Sequence, residues 1–261
     1  MSLLANNGKA LILAMDHAIV HGKIAGLEDP GQVIDAAVEA GADAVMTTFG
    51  IIKRYRHQLI GRIPTIMRLD SGPSLLSQDW MAYTEYSQQF EVEDALLLGA
   101  DGVVTNMFVG IPVELETFQM VARVAGDCLR LNMPFMVEAL PCPGEVVREP
   151  MSGHAMAIAA RLAFERGADY VKSYYTGDID DFRQVVENCP VPVLIAGGPK
   201  MDTLRGALQV VYDSLQAGAA GVVFGRNIWQ SSDPQGMIRA LRHIIHDNGS
   251  VNEALAALEG S

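Results

Sequence analysis

Lys172 lies in the middle of a stretch, Ala168 to Asp178, that is typical of a buried β-strand ending in a turn. Tyrosine and valine favour a pleated, half-buried surface, and Gly177 followed by aspartate is a turn signal. Desolvation inside a strand favours the neutral amine, and a neutral amine can condense with a carbonyl to form a Schiff base. The structural alternative is a lysine that reaches water at the strand end or pairs with a carboxylate.

Two glycine turns suggest a second function, which is to hold phosphate. Gly197 and Gly198 follow an apolar run, and Gly225 with Arg226 follows the next one. Glycine exposes backbone N–H groups that can cradle oxyanions, Arg226 could clamp them with two hydrogen bonds, and Lys200 could add a point charge. The alternative is that these glycines only make tight turns.

These residues belong to a pattern of apolar runs that alternate with helical segments eight times. We predict strands over 9–17, 42–50, 64–72, 100–108, 133–141, 168–178, 191–198 and 219–226. The main helices are predicted over 33–40, 51–62, 91–98, 112–131, 153–166, 180–188, 201–216 and 234–246. Eight such units in 261 residues predict a single α/β domain, a (β/α)₈ TIM barrel over 1–249, with a tail helix in 250–261. A doubly wound open sheet is the alternative, but no GxGxxG motif follows the first strand.

The barrel brings the ends of the predicted strands to one face, where barrel enzymes carry their active sites. The polar residues at those ends are Asp16, His17, Thr48, Asp70, Asn106, Glu138 and Lys172. Side chains of a strand alternate between the barrel interior and the helix layer, and the sequence does not determine which set points inward.

Composition restricts the partners. Acidic residues outnumber basic ones by 31 to 19, a formal charge of −12, which argues against nucleic acid or an anionic membrane surface as a partner. The three cysteines, Cys128, Cys142 and Cys189, have no metal-ligand spacing and suit a reduced, cytoplasmic chain. No membrane-spanning run or signal peptide is evident, and we predict neither a metal ion nor an organic cofactor.

Four motifs, in order along the chain, resemble the archaeal-type (DhnA-like) class I fructose-bisphosphate aldolase family. They are Ala14–Ala18, Ala168–Asp178, Gly197–Lys200 and Gly225–Gln230. The resemblance implies that Lys172 is the Schiff-base lysine and that Asp16 positions or deprotonates the intermediate. It also implies that the glycine turns bind phosphate. Without the motif, Asp16 would equally fit a helix cap or a partner for a lysine, and His17 fits a supporting hydrogen bond.

One position departs from the family pattern. The family's aldolases usually carry a tyrosine near the end of the fifth strand as a proton-transfer group, and Leu140 is the matching residue here. Leucine cannot transfer a proton. Glu138, two residues earlier and therefore on the same strand face, could take over this role, or it could form a salt bridge with Lys172 or an arginine.

The leading functional hypothesis is a class I aldolase acting on a phosphorylated keto sugar or a related keto compound. The resembled family is also understood to include a transaldolase-like synthase and a thiolase, so acyl transfer to a phosphorylated diketone-type substrate is an alternative. A sugar-phosphate isomerase, in which Asp16 and Glu138 do the acid–base work, is a third. By analogy with the family, a homo-oligomer is expected.

Overall fold

A computed structural model describes residues 4–5, 7–77 and 85–259 of the chain, and its centre is a closed barrel of eight parallel strands. The strands in chain order are β1 (Ala10–Ala14), β2 (Ala44–Thr48), β3 (Thr65–Arg68), β4 (Asp70–Ser71), β5 (Ser87–Gln88), β6 (Gly102–Val109), β7 (Phe135–Pro141), β8 (Tyr170–Tyr174), β9 (Val193–Ala196) and β10 (Gly221–Phe224). All except β4 and β5 belong to the barrel, which closes where β10 pairs with β1. The predicted (β/α)₈ barrel is confirmed.

Helices surround this barrel. They are α1 (Ala18–His21), α2 (Pro30–Ala40), α3 (Phe49–Leu59), α4 (Val92–Leu98), α5 (Glu114–Leu131), α6 (Gly153–Glu165), α7 (Ile179–Asn188), α8 (Leu204–Gln216), α9 (Arg226–Trp229), α10 (Pro234–His246) and α11 (Val251–Glu259). Their ends follow local chemistry. For example, the Asp29 side chain accepts hydrogen bonds from the first backbone N–H groups of α2, and Gly41 ends that helix in the left-handed conformation.

The structure shows which side chains of the barrel strands point inward and which point towards the helices. The inward-facing apolar residues are Ala10, Ile12, Ala14, Ala44, Met46, Ile66, Val104, Met136, Tyr170, Leu194 and Val223. Residues between them, such as Leu11 and Leu13, pack outward against the helices. Two residues further along five of these strands, the inward positions are Asp16, Arg68, Asn106, Glu138 and Lys172. The interior therefore changes from apolar to charged at the carboxyl ends of the strands.

The predicted third strand, 64–72, is only partly correct. The barrel strand β3 ends at Arg68, and Asp70–Ser71 forms a separate antiparallel pair with Ser87–Gln88. The barrel pairing stops at Leu69: its N–H still donates to the carbonyl of Val104 in β6, but its carbonyl accepts hydrogen bonds from the backbone N–H groups of Gln89 and Phe90. The chain between β4 and β5 includes residues 78–84, which lie outside the described residues.

The tail helix α11 packs on the barrel, against α8 and α10, and buries Val251 and Ala254. The tail helix was predicted over 250–261; α11 spans Val251–Glu259, and residues 260–261 lie outside the described part. Among the described residues, no helix has the length and apolar character needed to cross a bilayer.

Candidate active site

Lys172 is central to the charged layer. It lies on the inward face of β8, its residue is only 6% exposed, and in the register of the sheet it is directly opposite Glu138 of β7. Its Nζ atom is 2.8 Å from Oε1 of Glu138. A buried amine therefore has a carboxylate within proton-transfer distance, and both side chains line a cavity at the mouth of the barrel. This cavity is called the mouth cavity below.

Arg68 holds the surrounding acids in place, a role that was not predicted from the sequence. Its Nε donates to Oδ2 of Asp16, its Nη1 donates to Oδ1 of Asp70 at 3.0 Å and to Oδ1 of Asn106 at 2.9 Å, and its Nη2 donates to Oε2 of Glu138 at 2.6 Å. The guanidinium is 5% exposed. A signal was present in the sequence: a lone arginine interrupts the apolar run of the third strand, where an unpaired charge would be costly.

Arg68 and Lys172 set the charge of the acids. Burial is the largest single effect and would raise the pKa of Asp16, but the charges around it, Arg68 first and then His17 and Lys172, together with the hydrogen bond from Arg68, outweigh burial, so the pKa lies well below the usual range. The pKa of Glu138 is also lowered, because Lys172 and Arg68 together outweigh the effect of its burial. Both carboxylates are therefore ionised at neutral pH.

Asp70 behaves differently from these two acids. It is fully buried, and this burial raises its pKa to about 6, against the opposing effects of Arg68 and of the hydrogen bond from the backbone N–H of Asn106. Tyr86 lies beyond it, where its hydroxyl oxygen accepts a hydrogen bond from Nδ2 of Asn106 at 2.6 Å. These contacts connect the ribbon segment to the barrel strands.

His17 is the second residue of the Asp16–His17 pair, and its ring is neutral at neutral pH. Burial lowers its pKa to about 4 despite the nearby Asp16. Its Nδ1 is 3.5 Å from Oδ1 of Asp16, and its ring meets the Trp229 ring edge-on with centroids 5.5 Å apart. The expected supporting hydrogen bond is not formed at Nδ1, which among the described residues has no hydrogen-bond partner.

The two glycine turns come together. Gly197, Gly198, Gly225 and Arg226 line one small cleft, called the glycine cleft below, and Lys172 lies at its edge. Asn227 ties the two loops together: its Nδ2 donates to the carbonyl of Gly197 at 3.0 Å, and its Oδ1 accepts from the N–H of Met201 at 2.8 Å.

Of the two cationic side chains near the glycine cleft, Arg226 lines the cleft and Lys200 does not. The Nε of Arg226 is buried and finds no hydrogen-bond acceptor within the described part of the chain. Lys200 does not line the cleft, because its Nζ donates instead to the carbonyl of Gln230 at 2.6 Å. Thr48, the last residue of β2, is not among the residues that line either space.

The mouth cavity and the glycine cleft adjoin, since both are lined by His17, Glu138, Lys172, Tyr174 and Arg226. Leu140 lies in the wall of the mouth cavity. Tyr86 and Tyr174 also line this cavity, and the sequence analysis assigned a role to neither of them.

Comparison with known proteins identifies the family. A family model described as "DeoC/LacD family aldolase" matches residues 10–231. The chain belongs to the DeoC/LacD aldolase family.

Members of the DeoC/LacD aldolase family and solved structures match most of this chain. The class 1 fructose-bisphosphate aldolase of Thermoproteus tenax is 34% identical, over 98% of this chain and 96% of that protein. The 2-amino-3,7-dideoxy-D-threo-hept-6-ulosonate synthase of Halobacterium salinarum is 36% identical, over 98% of this chain and 94% of that protein. A crystal structure of an archaeal fructose 1,6-bisphosphate aldolase matches with a TM-score of 0.86 at 35% identity, covering 94% of this chain and 96% of the other.

The family comparison also defines the type of chemistry. A further solved archaeal fructose-1,6-bisphosphate aldolase, 35% identical with a TM-score of 0.85 over 93% of this chain and 96% of that one, carries a carbinolamine intermediate on its catalytic lysine. This chain is an aldolase of the class I, Schiff-base-forming type.

Proposed function

We propose that this aldolase cleaves or forms a C–C bond in a phosphorylated keto sugar or a related keto compound, with Lys172 as its Schiff-base residue. One observation carries the proposal. The Lys172 amine lies at the junction of the mouth cavity and the glycine cleft, and its Nζ is 2.8 Å from a carboxylate that Arg68 also holds. A ketone bound there with its phosphate in the glycine cleft would present its carbonyl carbon to the amine.

In this proposal the substrate phosphate is held by the glycine cleft. The backbone at Gly197, Gly198 and Gly225 lacks side chains that would fill the space, and Arg226 supplies a positive charge with a buried, unused Nε donor in the described part of the chain. Charge-assisted hydrogen bonds to phosphate are among the stronger ones in proteins. Asn227 fixes the distance between the two loops, so the anion site is preformed.

Glu138 is the proposed acid–base partner of Lys172. The ammonium proton of Lys172 moves to Oε1 of Glu138, and the free amine then adds to the ketone carbon. One of the two remaining nitrogen protons passes to the former ketone oxygen, which gives a neutral carbinolamine. The neutral carbinolamine loses its hydroxyl group, which takes a proton from Glu138 and leaves as water. The resulting iminium accepts the electron pair of the breaking C–C bond and becomes an enamine.

Asp16 completes the proposed cycle. As an ionised carboxylate on the same inward layer, it accepts the proton from the hydroxyl group of the departing fragment, which leaves as an aldehyde. Asp16 then returns this proton to the enamine carbon, and hydrolysis of the resulting imine by water restores Lys172 and Asp16. Leu140 cannot transfer a proton in any of these steps. The proposal therefore assigns to Glu138 both the ion pair with Lys172 and the proton transfers to and from it.

Trapping with borohydride tests the assignment. Sodium borohydride with dihydroxyacetone phosphate is expected to add one reduced adduct to the peptide that contains Lys172, as measured by mass spectrometry. Lys172→Met should abolish both the adduct and cleavage. Lys200→Met is the matched control, because Lys200 lies beside the cleft but is bonded to the carbonyl of Gln230, and this variant should keep the adduct. A wild-type protein that forms no adduct with any active substrate, or a Lys172→Met protein that keeps its activity, contradicts the proposal.

The cellular setting also remains a proposal. The buried free thiols of Cys128, Cys142 and Cys189 suit a reducing compartment, so we infer a cytoplasmic enzyme. We also expect no metal ion or organic cofactor, because the iminium formed on Lys172 would itself accept the electron pair of the breaking bond. The formal charge of −12 supports a small-molecule substrate rather than nucleic acid or a membrane surface. The homo-oligomer stays a prediction that sedimentation of the full chain would test.

A further inference from the structure

We infer that the substrate carries a single phosphate, and that the fragment released as an aldehyde carries uncharged hydroxyl groups rather than a second phosphate. This inference rests on the proposed function, because it assumes that the glycine cleft takes the first phosphate. It concerns the other end of the site, the part of the mouth cavity that lies away from the glycine cleft.

Arg68, the arginine at the centre of the charged layer, already has its hydrogen bonds occupied by protein groups. Arg68 has five N–H donors, and four hydrogen bonds run from it to Asp16, Asp70, Asn106 and Glu138. Three of these partners are acids. A phosphate that approached Arg68 would have to displace buried carboxylates from it, and would leave them uncompensated.

The remaining basic side chains of the mouth cavity do not form a second anion site. Lys172 is paired with Glu138 and is needed for the chemistry, and Arg226 belongs to the glycine cleft as well. His17 is partly buried, and its ring is neutral at neutral pH. The Nδ1 of His21 is 3.0 Å from the carbonyl of His17, which commits that nitrogen to the backbone.

The part of the mouth cavity that the glycine cleft does not share has an acidic wall. Three acids, Asp16, Asp70 and Glu85, line this part against one arginine, Arg68, whereas Glu138 lines both spaces. The residues just before Glu85, 78–84, contain one aspartate and no lysine, arginine or histidine. A second phosphate would therefore meet like charges, and juxtaposed like charges cost several kcal/mol in binding.

The same wall suits hydroxyl groups. The hydroxyl of Tyr86 accepts a hydrogen bond from Asn106 and has its own hydrogen to donate, while the carboxylates accept hydrogen bonds from sugar hydroxyls. Tyr86 is held in position by an edge-on contact with Phe108, with ring centroids 4.8 Å apart. Acceptor-rich surroundings with an aromatic hydroxyl favour an uncharged polyhydroxy fragment.

The test uses the condensation direction at pH 7.5, with dihydroxyacetone phosphate as the donor. D-Glyceraldehyde and D-glyceraldehyde 3-phosphate differ only in the phosphate group. They are compared as acceptors by their kcat/KM values. We expect the uncharged acceptor to be preferred by at least about tenfold, because the phosphorylated one must place a dianion against the acidic wall.

A charge reversal at the wall provides the matched variant. Glu85→Lys puts a cation on the exposed rim of the cavity, and should narrow the preference for the uncharged acceptor by at least about fivefold. Glu187→Lys is the control. It makes the same change of charge at an exposed position near the end of α7, which points to the opposite face of the barrel, and should leave the preference unchanged.

The outcomes separate this inference from the proposed function. A wild-type enzyme that prefers D-glyceraldehyde 3-phosphate overturns the inference. So does a wild-type enzyme that forms the Lys172 adduct with dihydroxyacetone phosphate but condenses it with neither acceptor. A preference that Glu85→Lys and Glu187→Lys change equally also overturns it, because the acidic wall would then not be its cause. Absence of the borohydride adduct itself is a failure of the proposed function, and the inference fails with it.

Discussion

Replacing Arg68 by methionine tests whether one guanidinium holds the active site together. Methionine has a similar length but no charge, so Arg68→Met removes four hydrogen bonds from a buried site while keeping most of the apolar volume. Asp16, Asp70 and Glu138 would remain buried with Lys172 as their nearest cation. We expect a large loss of stability and a loss of activity.

The size of the loss follows from the contacts. Hydrogen bonds to charged groups contribute roughly 1.5–3 kcal/mol each, so four independent ones would sum to about 6–12 kcal/mol. Proton uptake limits this sum, since Asp70, with a pKa already raised to about 6, would become neutral instead of remaining as an unpaired anion. Removing one partner of a buried ion pair costs about 3–5 kcal/mol, and we expect about 4 kcal/mol here.

The assay is thermal unfolding at pH 7.5, followed by circular dichroism. At about 2–4 °C per kcal/mol for a chain of this size, Arg68→Met should lower the melting temperature by roughly 8–16 °C. Arg130→Met is the control, because Arg130 pairs with Asp127 by an exposed i,i+3 contact. Exposed pairs contribute at most about 1 kcal/mol, so this variant should shift the melting temperature by no more than about 4 °C.

A double variant separates the charge network from simple packing. In Arg68→Met/Asp70→Asn one of the three acids is gone, so the loss should be at least about 1 kcal/mol smaller than the sum of the two single losses. The reasoning is refuted if the single losses simply add, or if Arg68→Met melts within about 3 °C of the wild type. Either result would mean that the three acids do not depend on Arg68.

Two further predictions concern Asp70 and the glycine cleft. The folded-state pKa of Asp70 is raised from 3.8 to about 6, so its stabilising contribution is fully present below about pH 4 and is lost as the pH rises through 6. Asp70→Asn should therefore lower the free energy of unfolding in urea more at pH 4 than at pH 7, by up to about 3 kcal/mol. A difference between variant and wild type that does not change with pH contradicts this. Gly225→Ala should raise KM for the phosphorylated substrate and cost about 1–3 kcal/mol, because its Cβ would lie 2.6 Å from Cε1 of His17 and 2.7 Å from the carbonyl oxygen of Ala14. Gly50→Ala on α3, where a Cβ meets nothing within 4 Å, is the control, and equal effects of the two alanines would argue against a crowded cleft.

The fold and the central residues could be predicted because the signals were local and repeated. Each buried parallel strand is a short apolar run, each helix has periodic apolar residues, and the polar residue that ends a run lies at the carboxyl end of a strand. Lys172 was identified in this way, and the structure brings it beside Glu138 and the glycine turns. The inward set of side chains could not be read from any single strand, since it depends on how all eight strands close.

Arg68 was missed for a related reason. Its partners are far apart in sequence: Asp16 follows β1, Asp70 is in β4, Asn106 is in β6 and Glu138 is in β7, so no window of sequence contains the network. The end of the third barrel strand was placed too late, because Asp70 and Ser71 have an extended pattern but pair with Ser87 and Gln88 instead of continuing the barrel. Long-range pairing overrode the local signal in both cases.

The shared grip on Glu138 has a consequence for turnover. One of its oxygens faces Lys172 and the other is held by Arg68, a side chain that does not deprotonate in proteins. During the proposed reaction cycle the nitrogen of Lys172 alternates between positively charged and neutral forms, which would release a carboxylate that had no other anchor. Since the arginine stays charged throughout, the acid keeps its place at each stage, and the enzyme need not rebuild its reaction centre between one substrate molecule and the next.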